Sequence, residues 1–304
     1  MLDFEKYDVV IPVCNPDKRL YELLRRLLKQ EEGPHKIRLY LTVTEKFSEP
    51  DLLKRLHSEE LADKGIEVTA FPTSEFNHGG TRQRAAMETD SPYVLFMTQD
   101  AVPRNRYMTK KMLESFRDAK VAVCYARQLP YRNAVLKEKF ARGFNYPDES
   151  VTKDRRMLDQ GKIKAIFCSD VCAMYDTEVL KALGGFETKV DFNEDMLYAY
   201  KAISNGYRIR YASKALVYHS HNLSYIDQFK RNKALAISQK QHDEVFGKLS
   251  SEDEGIKYAK EGIKYMAKNG NVFDIIDFVA DCGFRFMGFR AGKLVKNCKR
   301  STQG

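Results

Sequence analysis

VLFMTQDAVP, residues Val94–Pro103, decides the reading of the fold. Four apolar residues, Val94 to Met97, stand between Pro92 and Pro103 in the pattern of a short buried strand, so the chain leaves a sheet at Thr98, Gln99 and Asp100. Asp100 then sits at a strand's carboxyl end. In open α/β sheets ligands bind at that edge, and a carboxylate there suits a hard divalent cation held against a diphosphate. Asp also opens turns, so the case for Asp100 as a metal ligand rests on its neighbours.

Upstream, EFNHGGTRQRAA (Glu75–Ala86) supplies Gly79 and Gly80, which permit close approach of backbone to a ligand. Thr81, Arg82 and Arg84 open a helix whose amides and cations suit phosphate oxygens. Tyr7–Val13 (YDVVIPV) is a compact β-branched run broken by Cys14, Asn15 and Pro16, which puts Pro12, Val13 and Asn15 at a second edge for a nucleotide. A helix follows over Lys18–Gln30, then strands over Ile37–Val43 and Ile66–Phe71. Strands alternating with helices predict a doubly wound, Rossmann-like, mostly parallel sheet. No GxGxxG follows the first strand and no GxxxxGK occurs, which removes the main support for a dinucleotide or P-loop site.

Further along, Ile166–Tyr175 reads as a strand and Thr177–Leu183 as a short helix ended by Gly184 and Gly185. Asn193, Glu194 and Asp195 precede a helical run, Met196–Asn205. Acidic residues there complement the helix dipole, so capping and chemistry are both open readings. His219 and His221 flank Ser220 after the strand Ala215–Tyr218 and share one face, since side chains alternate in a strand. They suit a cation or a diphosphate, or serve the structure of a strand end. Cys168 and Cys172 fit no zinc or redox spacing. The interval Ala126–Lys164, charged and aperiodic, predicts an excursion over the site's edge.

In this order the motifs VVIPVCN (Val9–Asn15), FNHGGTR (Phe76–Arg82), TQDAVP (Thr98–Pro103), FCSDVCAMY (Phe167–Tyr175), LGGF (Leu183–Phe186), NEDM (Asn193–Met196) and HSHN (His219–Asn222) resemble the inverting GT-A glycosyltransferases of family 2, in the bacterial rhamnosyltransferase branch. The resemblance covers roughly residues 9 to 222. It implies a GT-A fold, a Mg²⁺ or Mn²⁺ cofactor held by Asp100 with His219, and Asp195 as the base that takes the acceptor hydroxyl's proton. Donor contacts fall on Pro12, Val13, Asn15, Asn77, His78, Gly79, Arg82, Gln99 and Asp100. Ser169 and Asp170 would face the sugar, and Glu194 would cap its helix or touch the acceptor. The implied donor is dTDP-β-L-rhamnose, with another, UDP-linked sugar as the alternative, and the implied acceptor a glycan or lipid-linked chain of a cell-surface polysaccharide. Two departures stand out. Of the family's Asp-x-Asp only Asp100 remains, with Gln99 where an additional carboxylate is expected, and LTVTEK (Leu41–Lys46) replaces an Asp-containing turn that contacts the base, leaving Thr44 and Glu45 nearest that role.

Composition bounds the rest. The 304 residues carry 51 Lys and Arg against 42 Asp and Glu, a net charge of +9, which predicts an anionic partner. Six unpatterned cysteines point to a reducing compartment. No stretch of eighteen apolar residues occurs. The expected division is a catalytic domain over 1–223 and a helical region over 224–304. In the latter Val272, Ile275, Ile276, Val279, Phe286 and Met287 recur at helical spacing beside Arg285, Arg290, Lys293, Lys296, Lys299 and Arg300. That composition suits an interfacial helix on an anionic membrane, hence a cytoplasmic enzyme peripheral to the inner membrane face; an ordinary core helix or a homodimer contact is the alternative. Two other classes remain. A sugar-1-phosphate nucleotidyltransferase would place a basic, glycine-rich loop where this chain has CNPDKR. A non-catalytic protein binding nucleic acid or membrane would leave Asp100, Asp195 and the glycine pair unexplained, so no nucleic-acid partner is expected.

Overall fold

The computed structural model describes residues 6–190, 192–250 and 252–295. Along the chain run β1 (Tyr7–Val13), α1 (Lys18–Leu28), β2 (Lys36–Val43), α2 (Glu49–Ser58), β3 (Ile66–Pro72), α3 (His78–Glu88), β4 (Tyr93–Met97), β5 (Val102–Pro103), α4 (Met108–Leu113) and β6 (Val121–Leu129). Then come α5 (Leu136–Asn145), β7 (Val151–Lys153), α6 (Arg155–Asp159), β8 (Cys172–Asp176), α7 (Thr177–Ala182), α8 (Glu194–Ser204) and β9 (Arg208–Tyr218). The last helices are α9 (Tyr225–Gln241), α10 (Asp243–Phe246), α11 (Glu252–Asn269) and α12 (Val272–Leu294).

Among the described residues a nine-stranded sheet runs in the order β3-β2-β1-β4-β8-β6-β9-β5, with β7 paired to β9. Its first half is the expected parallel α/β unit: β3, β2, β1 and β4 lie parallel, and α1 puts Leu20, Leu23, Leu24 and Leu27 into one core with Val9, Ile11, Leu39 and Leu95. The second half departs from a mostly parallel sheet. β8 is antiparallel to both β4 and β6, and β7 and β5 are antiparallel to β9. The sheet is therefore mixed. A parallel neighbour needs a long crossover, whereas the β8 hydrophobic run inserts between β4 and β6 in the opposite sense and brings its loop to the carboxyl end of β4.

Sequence periodicity misplaces two segments. The strand read over Ile166–Tyr175 is confined to Cys172–Asp176, because Ser169 and Asp170 form the loop before it. The interval 126–164 is an excursion only in part: it continues β6 and then carries α5, β7 and α6.

The chain divides into two compact units. The first comprises residues up to Ala134 together with Arg142–Ser220, and the second Val135–Ala141 together with residues from His221 onward. Within the second unit α9 and α12 pack at glycine positions. A Cβ on Gly288 would lie 2.3 Å from the Phe229 carbonyl oxygen, and one on Gly292 2.4 Å from that of Lys233. Phe140, Tyr258 and Phe278 cluster there, with ring centroids 5.0 to 5.6 Å apart. Asp281 is buried and accepts a 2.6 Å hydrogen bond from Arg285, so this arginine serves the helix pack instead of an outward basic face. Along the other side of α12, Val272, Phe273, Ile276, Val279, Phe286, Met287 and Leu294 are exposed at helical spacing. Lys296, Lys299 and Arg300 lie outside the described residues. Among the described residues no helix is long and apolar enough to cross a membrane.

Candidate active site

The carboxyl ends of β1, β2 and β4 meet at one edge of the first unit. After β1 the chain turns through Asn15, whose φ of 43° lies in the left-handed region that Asn tolerates. Thr44, just beyond β2, donates its hydroxyl to Asn15 Oδ1 at 2.7 Å. Gln99, just beyond β4, pairs with the Cys14 backbone twice: Cys14 N donates to Gln99 Oε1 and Gln99 Nε2 donates to Cys14 O, both at 2.9 Å. A carboxylate at position 99 has no N–H to complete that pair, so the side-chain amide is what this double contact requires. Val13 belongs to the core, whereas Pro12 is half-buried and Cys14 and Asn15 are exposed.

Asp100 follows at once. One carboxylate oxygen lies 3.5 Å from Arg19 Nη1 in the first turn of α1, and the other lies 3.7 Å from His219 Nε2 at the end of β9. Tyr131 Oη donates to the Asp100 carbonyl at 2.9 Å. The His219 Nδ1 faces Gln128 Oε1 at 2.8 Å, an acceptor, so Nδ1 carries the proton and the lone pair of the neutral ring is on Nε2. A carboxylate oxygen and an imidazole lone pair thus face each other, and this donor set fits a divalent cation of the Mg²⁺ or Mn²⁺ kind. His221, the second imidazole of HSHN, belongs to the second unit.

A second cluster gathers around Arg82 on α3. Arg82 Nη1 donates to Glu194 Oε1 at 2.7 Å, across 112 positions of sequence, and its Nε lies 3.0 Å from Asp170 Oδ2. All three residues are nearly solvent-free, at 4, 6 and 2% exposure for Arg82, Glu194 and Asp170. The contact with Asp170 is an ion pair off the hydrogen-bond line, so both Arg82 Nε and Asp170 Oδ2 lack a hydrogen-bond partner. The Tyr175 hydroxyl donates to the other Asp170 oxygen at 2.5 Å. Burial works against the Arg82 charge, yet Glu194, Asp170 and Asp195 more than offset it and raise its pKa. Burial lifts the Asp170 carboxyl to about 6 despite the guanidinium beside it.

Asp195 completes the group. The left-handed Asn193, φ 70°, turns the chain into α8 so that Glu194 points to Arg82 while Asp195 stays half-buried. Asp195 accepts from the Asp170 amide at 3.2 Å and from the Met196 amide at 2.7 Å. Burial first, then the Glu194 and Asp170 charges, push its pKa well above the ordinary carboxylate range.

Several sequence expectations are redirected by this geometry. Arg82 holds carboxylates where a phosphate contact was expected, because its guanidinium is buried between Asp170 and Glu194. Glu194 is likewise paired with Arg82 through Oε1. Ser169 and Asp170 are buried, Ser169 accepting from Gln128 Nε2 at 3.0 Å, so neither presents an open face to a sugar. Gly79 allows a close approach, but by the Glu187 carbonyl, 1.9 Å from where a Cβ would stand. Asn77 caps α3 by accepting from Gly80 N at 2.8 Å, and the His78 ring packs edge-on to Phe76. Sequence reasoning misses Arg19 and Gln128. Arg19 carries a weak signal as a cation in the first turn after β1; Gln128 carries none, since a lone Gln in an apolar strand reads as an interruption.

The sequence model of glycosyl transferase family 2 matches residues 8–184, more than half of the chain, a span that includes Asn15, Thr44, Arg82, Asp100 and Asp170. The chain belongs to glycosyl transferase family 2. This family 2 glycosyltransferase is 35% identical over 239 residues to the O-antigen chain rhamnosyltransferase WbaN of Salmonella anatum, covering 77% of this chain and 75% of the relative. It is 32% identical over 245 residues to the O-antigen chain rhamnosyltransferase RfbN of Salmonella typhimurium, covering 79% and 76%. Among solved structures it is similar in fold to a mannosyltransferase of Pyrobaculum calidifontis in complex with GDP-Man and Mn²⁺, with a TM-score of 0.65 at 12% identity over 97% of this chain and 89% of that one.

Proposed function

We propose that this family 2 glycosyltransferase is a metal-dependent, inverting rhamnosyltransferase. It moves L-rhamnose from dTDP-β-L-rhamnose onto a glycan or lipid-linked acceptor of a bacterial cell-surface polysaccharide. The observation that carries the chemistry is Asp195: among the clustered carboxylates it is the half-buried one, and its surroundings raise its proton affinity, the property a general base needs. The donor reading draws on the similarity to two O-antigen rhamnosyltransferases.

Asp195 accepts the acceptor hydroxyl's proton as that oxygen bonds to the anomeric carbon. The bond from that carbon to the diphosphate oxygen breaks on the opposite face, its electron pair leaving with the nucleotide. Arg82 and Asp170 hold Asp195 in place through the Asp170 amide, and Arg82 balances part of the buried negative charge. Arg19 adds a cation beside Asp100 toward which a diphosphate is drawn. Asp100 and His219 would hold a Mg²⁺ or Mn²⁺ ion, whose chemistry is to neutralise charge on the leaving diphosphate. A raised base pKa means that the rate climbs with pH as Asp195 loses its proton.

The exposed apolar side of α12 supports docking on an anionic membrane surface. Arg290 is exposed on that helix as well, and each basic residue near such a surface adds about 1 kcal/mol to attachment through the apolar side. On this reading the enzyme works at the cytoplasmic membrane face, beside a lipid-linked acceptor.

The donor is tested by thermal stabilisation with dTDP-, UDP- and GDP-linked sugars in Mn²⁺ or Mg²⁺. A ligand that binds the folded state raises the melting temperature, by an amount worth about 2.7 kcal/mol at a hundredfold excess over its Kd. The largest cation-dependent rise is expected with dTDP-β-L-rhamnose. A larger rise with a UDP- or GDP-sugar would replace the donor.

A further inference from the structure

Gln128 occupies the buried centre of a hydrogen-bond network in the first unit, on β6 beside the end of β9. Its amide is 1% exposed and uses both ends. Oε1 accepts from His219 Nδ1 at 2.8 Å and from Arg142 Nη1 at 2.5 Å, while Nε2 donates to Tyr146 Oη at 2.6 Å and to Ser169 Oγ at 3.0 Å. The backbone holds the same register, with Gln128 opposite Val217 and His219 N donating to Leu129 O at 2.9 Å.

The orientation of this amide is over-determined. Arg142 has donors and no acceptor, so it fixes Oε1 on its own side. The oxygen is therefore also the atom that faces His219 Nδ1, and that nitrogen must carry the ring proton. The lone pair passes to Nε2, which is the atom 3.7 Å from the Asp100 carboxylate. A metal-binding histidine is ordinarily set in this way by an acceptor on its other nitrogen.

We propose that Gln128 is a positioning residue for the cation site: with Arg142 it selects the His219 tautomer whose Nε2 faces Asp100. The proposal rests on the metal reading of Asp100 and His219. Through Ser169, the residue before Asp170, the same amide also joins the metal edge to the loop that carries the base cluster.

Mn²⁺ alone is the probe, with bound and free ion separated by electron paramagnetic resonance on the full chain. Gln128→Met fills similar space without an acceptor, and affinity should fall roughly 10–100-fold, the usual cost of removing such a partner. Gln128→Glu restores an acceptor for both His219 and Arg142 and should keep affinity within a few-fold of wild type, as Tyr146 and Ser169 turn their hydroxyls to donate. Wild-type affinity in a folded Gln128→Met, or an equal loss in both variants, would overturn the proposal. If Gln128→Met does not fold, ¹⁵N shifts of the His219 ring in the unaltered protein decide: the Nδ1–H tautomer supports the proposal and Nε2–H overturns it. His219→Ala separates the two layers. If it binds Mn²⁺ as wild type does, the metal reading falls and this inference with it; if it loses the ion while Gln128→Met keeps it, this inference alone falls.

Discussion

Replacing Arg82 by Met tests a charge arrangement from which solvent is nearly excluded. The guanidinium is 4% exposed and meets Glu194 at 2.7 Å and Asp170 at 3.0 Å. Removing one partner of a buried ion pair leaves uncompensated charge and costs about 3–5 kcal/mol. For a domain of this size each kcal/mol lowers Tm by roughly 2–4 °C, so the expected drop is roughly 6–20 °C. The pH dependence has a definite sign. Burial already lifts Asp170 to about 6 in the presence of Arg82, and without the cation it must rise further. A carboxyl with a folded pKa above its unfolded value binds its proton more tightly when folded. Its penalty is complete above the folded pKa and fades as pH falls toward the unfolded value. Urea unfolding of Arg82→Met should therefore show a large loss at pH 8 that shrinks toward pH 5. A loss below about 1 kcal/mol at pH 8, or one that grows on acidification, would refute the reasoning.

Gly79→Ala should destabilise by about 1–3 kcal/mol or more through overpacking, because the new methyl meets the Glu187 backbone carbonyl at 1.9 Å. Gly143→Ala, in α5 with nothing within 4 Å of the added methyl, should instead stabilise by about 0.5–1 kcal/mol, and paired thermal melts compare the two signs directly. Asp100→Ala should abolish cation-dependent donor binding with the fold intact; unchanged affinity for the nucleotide sugar in calorimetry with Mn²⁺ would remove Asp100 from the site. Phe273→Ser combined with Ile276→Ser and Phe286→Ser should cut co-sedimentation with vesicles of one-third phosphatidylglycerol and leave turnover of a short soluble acceptor alone. If the full chain ignores such vesicles at low salt, the membrane role of α12 is lost.

The parallel half of the sheet is legible in the sequence because its strands are short, solidly apolar and bounded by breakers, as at Tyr7–Val13 before Cys14-Asn15-Pro16 and at Val94–Met97 between prolines. The antiparallel half is harder to read. β8 is a five-residue strand whose neighbours, β4 and β6, are chosen by tertiary packing. The site follows the same division. Asp100 and Asp195 are signalled locally, by a strand end and a helix start. The partners of Arg82 are not, since a basic residue in the first turns of a helix after two glycines has the pattern of an anion site whether or not two carboxylates about a hundred residues away close over it. Gln99 and Gln128 show the same limit: each acts through both ends of a side-chain amide, and only the fold reveals which backbone or ring those ends meet.

The most direct test follows labelled rhamnose from dTDP-β-L-rhamnose to a bacterial lipid-linked glycan acceptor, comparing wild type with Asp195→Asn in the presence of Mn²⁺. The account predicts transfer by the wild type and a loss on the order of 10²–10⁴-fold in the variant, with donor-induced thermal stabilisation retained. Turnover of Asp195→Asn near the wild-type rate would contradict it and return Asp195 to the part of a helix-start residue.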